Sequence, residues 1–253
     1  MPETVSVVVD SILARAYGDG RQMLYEHEVY SLLGAIGVNV PDCVFVRDPE
    51  QVSDDLLSRF KSPYLMLKTV SRDMAHNQKY GGVRKVAGKD PLFVQFVMTR
   101  MKEEVLSHFD EDSKPAIDGF LIIEFVKFTQ ALGNEIMIGS KVDRAFGSVT
   151  TLTKGGDDAE FFAKYYDPAN LSLSPVSSET ADGIINNLKI KHKYIENGHP
   201  EYLSKMAEAL TAISRIGHDF SANSAVHSDF CINVLDVNPF VFEIGRASCR
   251  ERV

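Results

Sequence analysis

The stretch that most constrains this chain is YLMLKTVSRDMAHNQKYGGVRKV, Tyr64 to Val86. An apolar run with one lysine near its end, Lys68, enters a polar loop carrying His76. It leaves through Gly81 and Gly82 into a second alternating run, so the spacing predicts strand, loop, strand. A strand lysine can meet phosphates as a point charge, and paired glycines let backbone N–H groups approach anionic oxygens without a Cβ in the way. Each feature alone has a plainer reading, a solvated edge lysine and an ordinary turn.

The rest of the chain falls around that unit. Val5, Val8, Val9, Ile12, Leu13 and Ala16 recur at helical spacing before Gly18 and Gly20, and a second helix is expected over 22–35. A short strand at 43–46 precedes a helix opened by Asp48 and Pro49. Asp90 and Pro91 start another, reaching about His108. The polar, turn-prone run from Asp110 to Pro115 is read as a lobe boundary. Beyond it, 119–126, 134–142 and 146–152 read as successive strands of one antiparallel sheet. Helices over 178–188 and 200–216 follow, then a strand pair, 231–237 and 240–243, about Asn238 and Pro239. Helix-flanked strands followed by an antiparallel sheet make an α+β (α/β) protein of two lobes.

At 253 residues with 44% hydrophobic and 25% charged side chains, the chain can bury a sizeable core. Its formal charge of −8, with no Lys/Arg stripe, argues against a nucleic-acid partner. No apolar run has the roughly 20 residues a membrane helix needs, and the first 20 residues do not read as a secretory signal. A cytoplasmic location is the expectation. The three cysteines have no zinc or redox spacing, and Cys43 and Cys231 read as small buried hydrophobes. Residues 244–253 resemble a translated sequencing adapter and are read as foreign to the domain. His192, His199, His218 and His227 read as surface residues.

Four features stand in order: the Lys68 loop unit, an apolar strand ending in Glu124, a later strand opening on Glu135, and Leu-Asp-Val-Asn-Pro with Asp236 and Asn238. Their order and spacing resemble the ATP-grasp domain of NDP-forming acyl-CoA synthetases, in particular the stand-alone β subunit of ADP-forming acetate–CoA ligases. The resemblance covers about 22–242. It implies an ATP-grasp fold with nucleotide bound between two lobes, which the boundary read above sets as an N-terminal lobe of about 20–115 and a C-terminal lobe of about 116–243, with the helix of 1–19 leading.

Residue by residue, the resemblance implies that Lys68, Gly81 and Gly82 hold phosphates. The hinge Glu124, Phe125 and Val126 would read adenine, and Glu135 would belong to the phosphate region. Asp236 and Asn238 would bind Mg²⁺ beside ATP or ADP, as hard oxygen donors can. His76 would carry the phosphoryl group within a Ser-x-Asp-x-x-His…Gly-Gly-Val signature, Ser71 to Val83. The implied activity is that of an acid–thiol ligase, acyl-CoA + ADP + phosphate ⇌ acid + ATP + CoA. It implies a partner α subunit carrying the CoA-binding and acyl-transfer domains, because no dinucleotide-type glycine motif follows a strand here.

The chain departs from the family pattern in three places. Asn77 follows the loop histidine where lysine is usual, Lys-Ile-Lys-His-Lys-Tyr-Ile-Glu-Asn replaces an Arg-Gly motif near residue 190, and the Gly-x-Gly-Gly element is reduced to Thr-Lys-Gly-Gly. Two further readings therefore stay open: a carboxylate–amine ligase working through an acyl phosphate, and a non-catalytic nucleotide-sensing subunit. Taken alone, Asp-x-Asn-Pro is also a turn motif, and Glu124 and Glu135 also read as strand-end and solvent-facing acids.

Overall fold

The computed structural model describes residues 2–74, 77–128, 133–156, 170–224, 228–243 and 246–249. The chain divides into two compact units. One comprises Ala16–Ser31 with Pro41–Val126, and the other Met1–Arg15, Leu32–Val40 and Lys127–Arg252. Helix α1 spans Glu3–Gly18 and α2 spans Glu26–Ala35.

The first unit is built on a four-stranded antiparallel sheet ordered β1-β4-β2-β3: β1 Cys43–Val46, β2 Tyr64–Val70, β3 Val83–Ala87 and β4 Gly119–Glu124. Between β1 and β2 the chain makes a 3₁₀ turn, Pro49–Gln51, and the short helix α3, Asp54–Ser58, whose N-cap Ser53 accepts the Leu56 N–H. Helix α4, Pro91–Ser107, begins where Asp90 accepts the N–H groups of Leu92 and Phe93. Val94, Val97, Met98 and Met101 of α4 pack with Leu65 and Leu67 of β2 and Phe120 and Ile122 of β4. Period-two alternation then places Met66, Lys68 and Val70 on the opposite face of β2.

The second unit carries a five-stranded antiparallel sheet ordered β7-β6-β5-β8-β9. Its strands are β5 Glu135–Asp143, β6 Gly147–Lys154, β7 Asn170–Leu173, β8 Val234–Glu243 and β9 Arg246–Cys249. Helices α5 Ser178–Asn187, α6 Lys191–Glu196 and α7 Glu201–Asp219 accompany it. Tyr202, Met206, Leu210, Ile213 and Gly217 recur at helical spacing along the buried side of α7. Gly217 lets α7 lie close on β5, because a Cβ there would run into the Ser140 side chain.

Several expectations are corrected. The strand at 119–126 does not begin the second sheet: β4 is flanked by β1 and β2, and the unit boundary falls after Val126 rather than at 110–115. The polar run there is a connection from α4 to β4, containing a 3₁₀ turn at Glu111–Ser113. Helix α2 starts at Glu26, not Gln22, because Glu28 reaches back to accept the Tyr25 N–H at 2.8 Å and fixes the first turn. The C-terminal strand pair is one strand, β8, which runs through Asn238 and Pro239. A register shift opposite Met137 absorbs the proline, which has no N–H to give to a ladder. Cys231 is exposed rather than buried. Residues 246–249 pair with β8 as β9, which does not bear on the reading of 244–253 as foreign to the domain. Among the described residues no helix is long and apolar enough to cross a membrane.

Candidate functional site

In the first unit Lys68, Gly81 and Gly82 lie at the C-terminal end of β2, whereas Glu124 and Phe125 lie at its start, beside Leu65 and Tyr64. Lys68 is only 6% exposed, and its Nζ lies 2.6 and 2.7 Å from the two carboxylate oxygens of Glu26. Tyr30 donates its phenol O–H to the same carboxylate at 2.6 Å. After β2 the chain is pinned at once. Asp118 accepts the Arg72 backbone N–H at 2.8 Å and the Arg72 guanidinium at 2.7 Å, while Asp73 accepts the Ala116 N–H at 2.9 Å. Burial by itself would raise the Asp118 carboxyl, but the hydrogen bonds from Arg72 and Tyr25 override it and hold the group below its ordinary range. His76 lies outside the described residues.

The glycine pair closes this loop. Gly81 has φ +78°, a conformation that favours glycine, and its N–H donates to the Gln78 carbonyl at 3.3 Å. A Cβ on Gly81 would also collide with the Glu104 side chain, which pairs with Arg84. The Gly82 carbonyl accepts the Thr69 N–H at 2.8 Å, returning the loop to β2. At the end of β4, one oxygen of Glu124 accepts the backbone N–H groups of Lys61 and Ser62 at 2.5 and 2.7 Å. The N–H groups of Glu124 and Phe125 donate to the carbonyls of Asp42 and Tyr64. The Phe125 ring sits under the Lys85 ammonium, 3.6 Å from its centroid.

In the second unit, Glu135 and Asn238 hold the start of the Lys-Gly-Gly loop. The Glu135 carbonyl accepts the Gly155 N–H at 3.0 Å, and Asn238 Oδ1 accepts the Gly156 N–H at 2.9 Å. Neither glycine has room for a side chain: a Cβ on Gly155 would sit 2.6 Å from the Ile136 carbonyl, and one on Gly156 would sit 2.7 Å from Glu135 Oε2. Asp157 and Asp158 of the same loop lie outside the described residues.

Asp236, Gly139 and Thr151 form a row across β8, β5 and β6. The absent side chain at Gly139 leaves space that Asp236 Oδ1 and Thr151 Oγ1 each border, close to where a Cβ would sit. Asp236 is open to solvent yet crowded by protein, which raises its carboxyl above the ordinary value, with Lys141 drawing it the other way. Among the described residues no three or more His, Cys, Asp or Glu side chains gather as an all-protein metal cage. The oxygen donors Asp236 and Asn238, two apart on β8, nonetheless suit a hard cation that also takes phosphate oxygens.

Sequence reasoning missed Glu26, Tyr30, Asp118 and Thr151. An acid in a first helical turn reads as an ordinary dipole partner, so only the fold brings Glu26 to Lys68.

A family model described as "ATP-grasp domain" matches residues 15–249. The chain belongs to the ATP-grasp family. This ATP-grasp domain is 28% identical over 233 residues to a 4-hydroxybutyrate–CoA ligase [ADP-forming] of Nitrosopumilus maritimus, covering 91% of this chain and 30% of that protein. It is 24% identical over 220 residues to acetate–CoA ligase [ADP-forming] I of Archaeoglobus fulgidus, covering 85% of this chain and 28% of that protein. The chain thus spans under a third of the length of the curated relatives it matches. Among solved structures it is similar to a dinucleotide forming acetyl-coenzyme A synthetase 1 of Ca. Korarchaeum cryptofilum, in complex with coenzyme A, acetyl-coenzyme A and a phosphorylated phosphohistidine segment. That likeness has a TM-score of 0.72 at 21% identity and covers 96% of this chain and all of the matched chain, which shows the fold. The ATP-grasp fold expected from the motif order is therefore the observed one.

Proposed function

We propose that the chain is the ATP-grasp portion of an ADP-forming acyl-CoA synthetase, the β-subunit role in acyl-CoA + ADP + phosphate ⇌ acid + ATP + CoA. The observation that carries this reading is Lys68. It is a cation buried on the face of β2 opposite the α4 core, at the head of the Ser71–Val83 loop, in an ATP-grasp domain whose relatives are ADP-forming CoA ligases.

In this reading Lys68 and the turn at Gly81 and Gly82 take nucleotide phosphates. At the hinge of Glu124, Phe125 and Val126 the adenine is met by the Val126 N–H and the hinge carbonyls, since the N–H groups of Glu124 and Phe125 are taken by Asp42 and Tyr64, while the Glu124 carboxylate serves the 61–62 loop. Glu135, Asp236 and Asn238 serve the phosphate region, with Asp236 and Asn238 holding Mg²⁺. When bound, Mg²⁺ would supply charge neutralisation at the phosphates. Phosphoryl transfer depends mainly on positioning and charge, which these side chains supply. His76 is the phosphoryl carrier: a ring nitrogen attacks the γ-phosphorus of ATP, ADP leaves, and the reverse step makes ATP. Coenzyme A and the acyl group are handled by the rest of the synthetase, as an α subunit or as further domains, in keeping with the share of its relatives that this chain spans.

The test is ATP formation from acetyl-CoA or 4-hydroxybutyryl-CoA with ADP and phosphate, with the CoA-handling part supplied. Turnover that requires this chain and falls on Lys68→Met supports the reading. No turnover with either acyl-CoA, nucleotide binding intact, contradicts it. A nucleotide-sensing subunit is the second reading, favoured by one observation. Where the family has its Arg-Gly motif, this chain has helix α6, whose Tyr194 is buried beside Tyr202 and Phe242 and donates to the Gly133 carbonyl.

A further inference from the structure

The lysine assigned to the phosphates is held by a partner that the motif order does not contain. Lys68 and Glu26 are 6% and 8% exposed, and Tyr30, which donates to the same carboxylate, is 2% exposed. A buried ammonium or carboxylate left alone costs several kcal/mol, so the two charges must be kept together. Glu26 is fixed from its own side as well. It is the first residue of α2, where the helix dipole favours a carboxylate. That helix start is set by Glu28, which accepts the Tyr25 N–H and pairs with both terminal nitrogens of Arg21 at 2.7 and 2.8 Å. The Arg21 guanidinium also lies 4.0 Å over the Tyr25 ring. The chain of contacts therefore runs from Arg21 through Glu28 and the first turn of α2 to Glu26, and from Glu26 to Lys68.

We propose that Glu26 is the positioning residue for Lys68. It keeps the ammonium in place at the end of β2, so that recognition of ATP and ADP phosphates depends on Glu26 through Lys68. The proposal rests on the reading of Lys68 as the phosphate ligand. The anchoring of Glu26 by both Lys68 and Tyr30 marks a carboxylate that stays in place when phosphate arrives, not one that phosphate displaces. In this role Glu26 acts on the nucleotide through the Lys68 side chain.

The test measures the binding of ATP, ADP and adenosine to the full chain and to Glu26→Gln, Lys68→Met and the double variant, with thermal unfolding of each. Glu26→Gln is expected to weaken ATP and ADP by about tenfold or more and to leave adenosine unchanged. The double variant should bind ATP no more weakly than Lys68→Met, since residues that act through one another are non-additive. ATP binding by Glu26→Gln that equals or exceeds the parent, while Lys68→Met is weak, overturns the proposal and leaves the Lys68 reading standing. Unchanged ATP binding by Lys68→Met overturns both. Equal loss for adenosine, or losses that add in the double variant, assigns Glu26 a structural role and overturns the proposal. Tyr30→Phe removes only the phenol and provides the same test if Glu26→Gln does not fold. An ATP-specific loss that vanishes in the Lys68→Met background supports the proposal, and unchanged ATP affinity contradicts it.

Discussion

Replacing Gly139 by alanine tests whether the row across β8, β5 and β6 is a binding feature or simply strand packing. The backbone at Gly139 is not left-handed, so alanine is permitted there, and in a strand it would by itself add roughly 0.5–1 kcal/mol of stability. The new Cβ would, however, meet Asp236 Oδ1 and would lie 2.9 Å from Thr151 Oγ1 and 3.5 Å from the Leu235 carbonyl. Overpacking of this kind costs about 1–3 kcal/mol, and the side chain with an escape route is Asp236, which is open to solvent. The net expectation is a stability loss of about 1–2 kcal/mol by urea unfolding. Rotation of Asp236 out of the row should also lower Mg²⁺-dependent ATP affinity by about tenfold, equivalent to about 1.4 kcal/mol. Gly183→Ala is the control: it lies on α5 with nothing within 4 Å, and should gain roughly 0.5–1 kcal/mol with binding unchanged. If Gly139→Ala behaves like Gly183→Ala in both assays, the row has no part in nucleotide binding and the reasoning fails.

Two further predictions concern stability. Alanine is about 0.8–1 kcal/mol better than glycine inside a helix, yet Gly217→Ala should destabilise, by up to about 2 kcal/mol net of that gain, because its Cβ would lie 2.5 Å from Ser140 Cβ. Chemical denaturation should show the loss and its recovery with Ser140→Gly, and a gain in the single variant would contradict the close seating of α7 on β5. The Asp118 carboxyl is held below its ordinary value of 3.8, so its contribution is complete above that pH and is lost as pH falls through the lower folded-state value. The difference in melting temperature between the parent and Asp118→Asn should hold steady above pH 3.8 and narrow below it, and a difference that does not narrow would refute the assignment.

Local signals carried much of the fold. Strand β2 with its lysine, the turn into β3, the Asp90–Pro91 start of α4 and the long helix α7 follow from periodicity and caps that neighbouring residues supply. What was not legible depends on partners distant in the chain. The run Gly119–Glu124 announces a buried strand but not that it lies between β1 and β2, and the polar connection before it looks the same as a linker. The start of α2 depends on a reach-back from Glu28 that a propensity reading does not weigh. Strand β8 passes through Pro239 because a register shift accommodates it, whereas proline in sequence signals a break. For the site, Lys68, Gly81, Gly82, Glu124, Glu135, Asp236 and Asn238 carry signals of their own. Glu26 does not: 42 residues separate it from Lys68, and only tertiary structure joins them.

The central claim is that this domain passes phosphate through His76. The measurement that meets it most directly is incubation with γ-labelled ATP and Mg²⁺, in the presence of the CoA-handling part, followed by a test for acid-labile, base-stable label on the chain. The account predicts such label in the parent and none in His76→Ala. Absence of label while ATP still binds, or label that persists in His76→Ala, would contradict it.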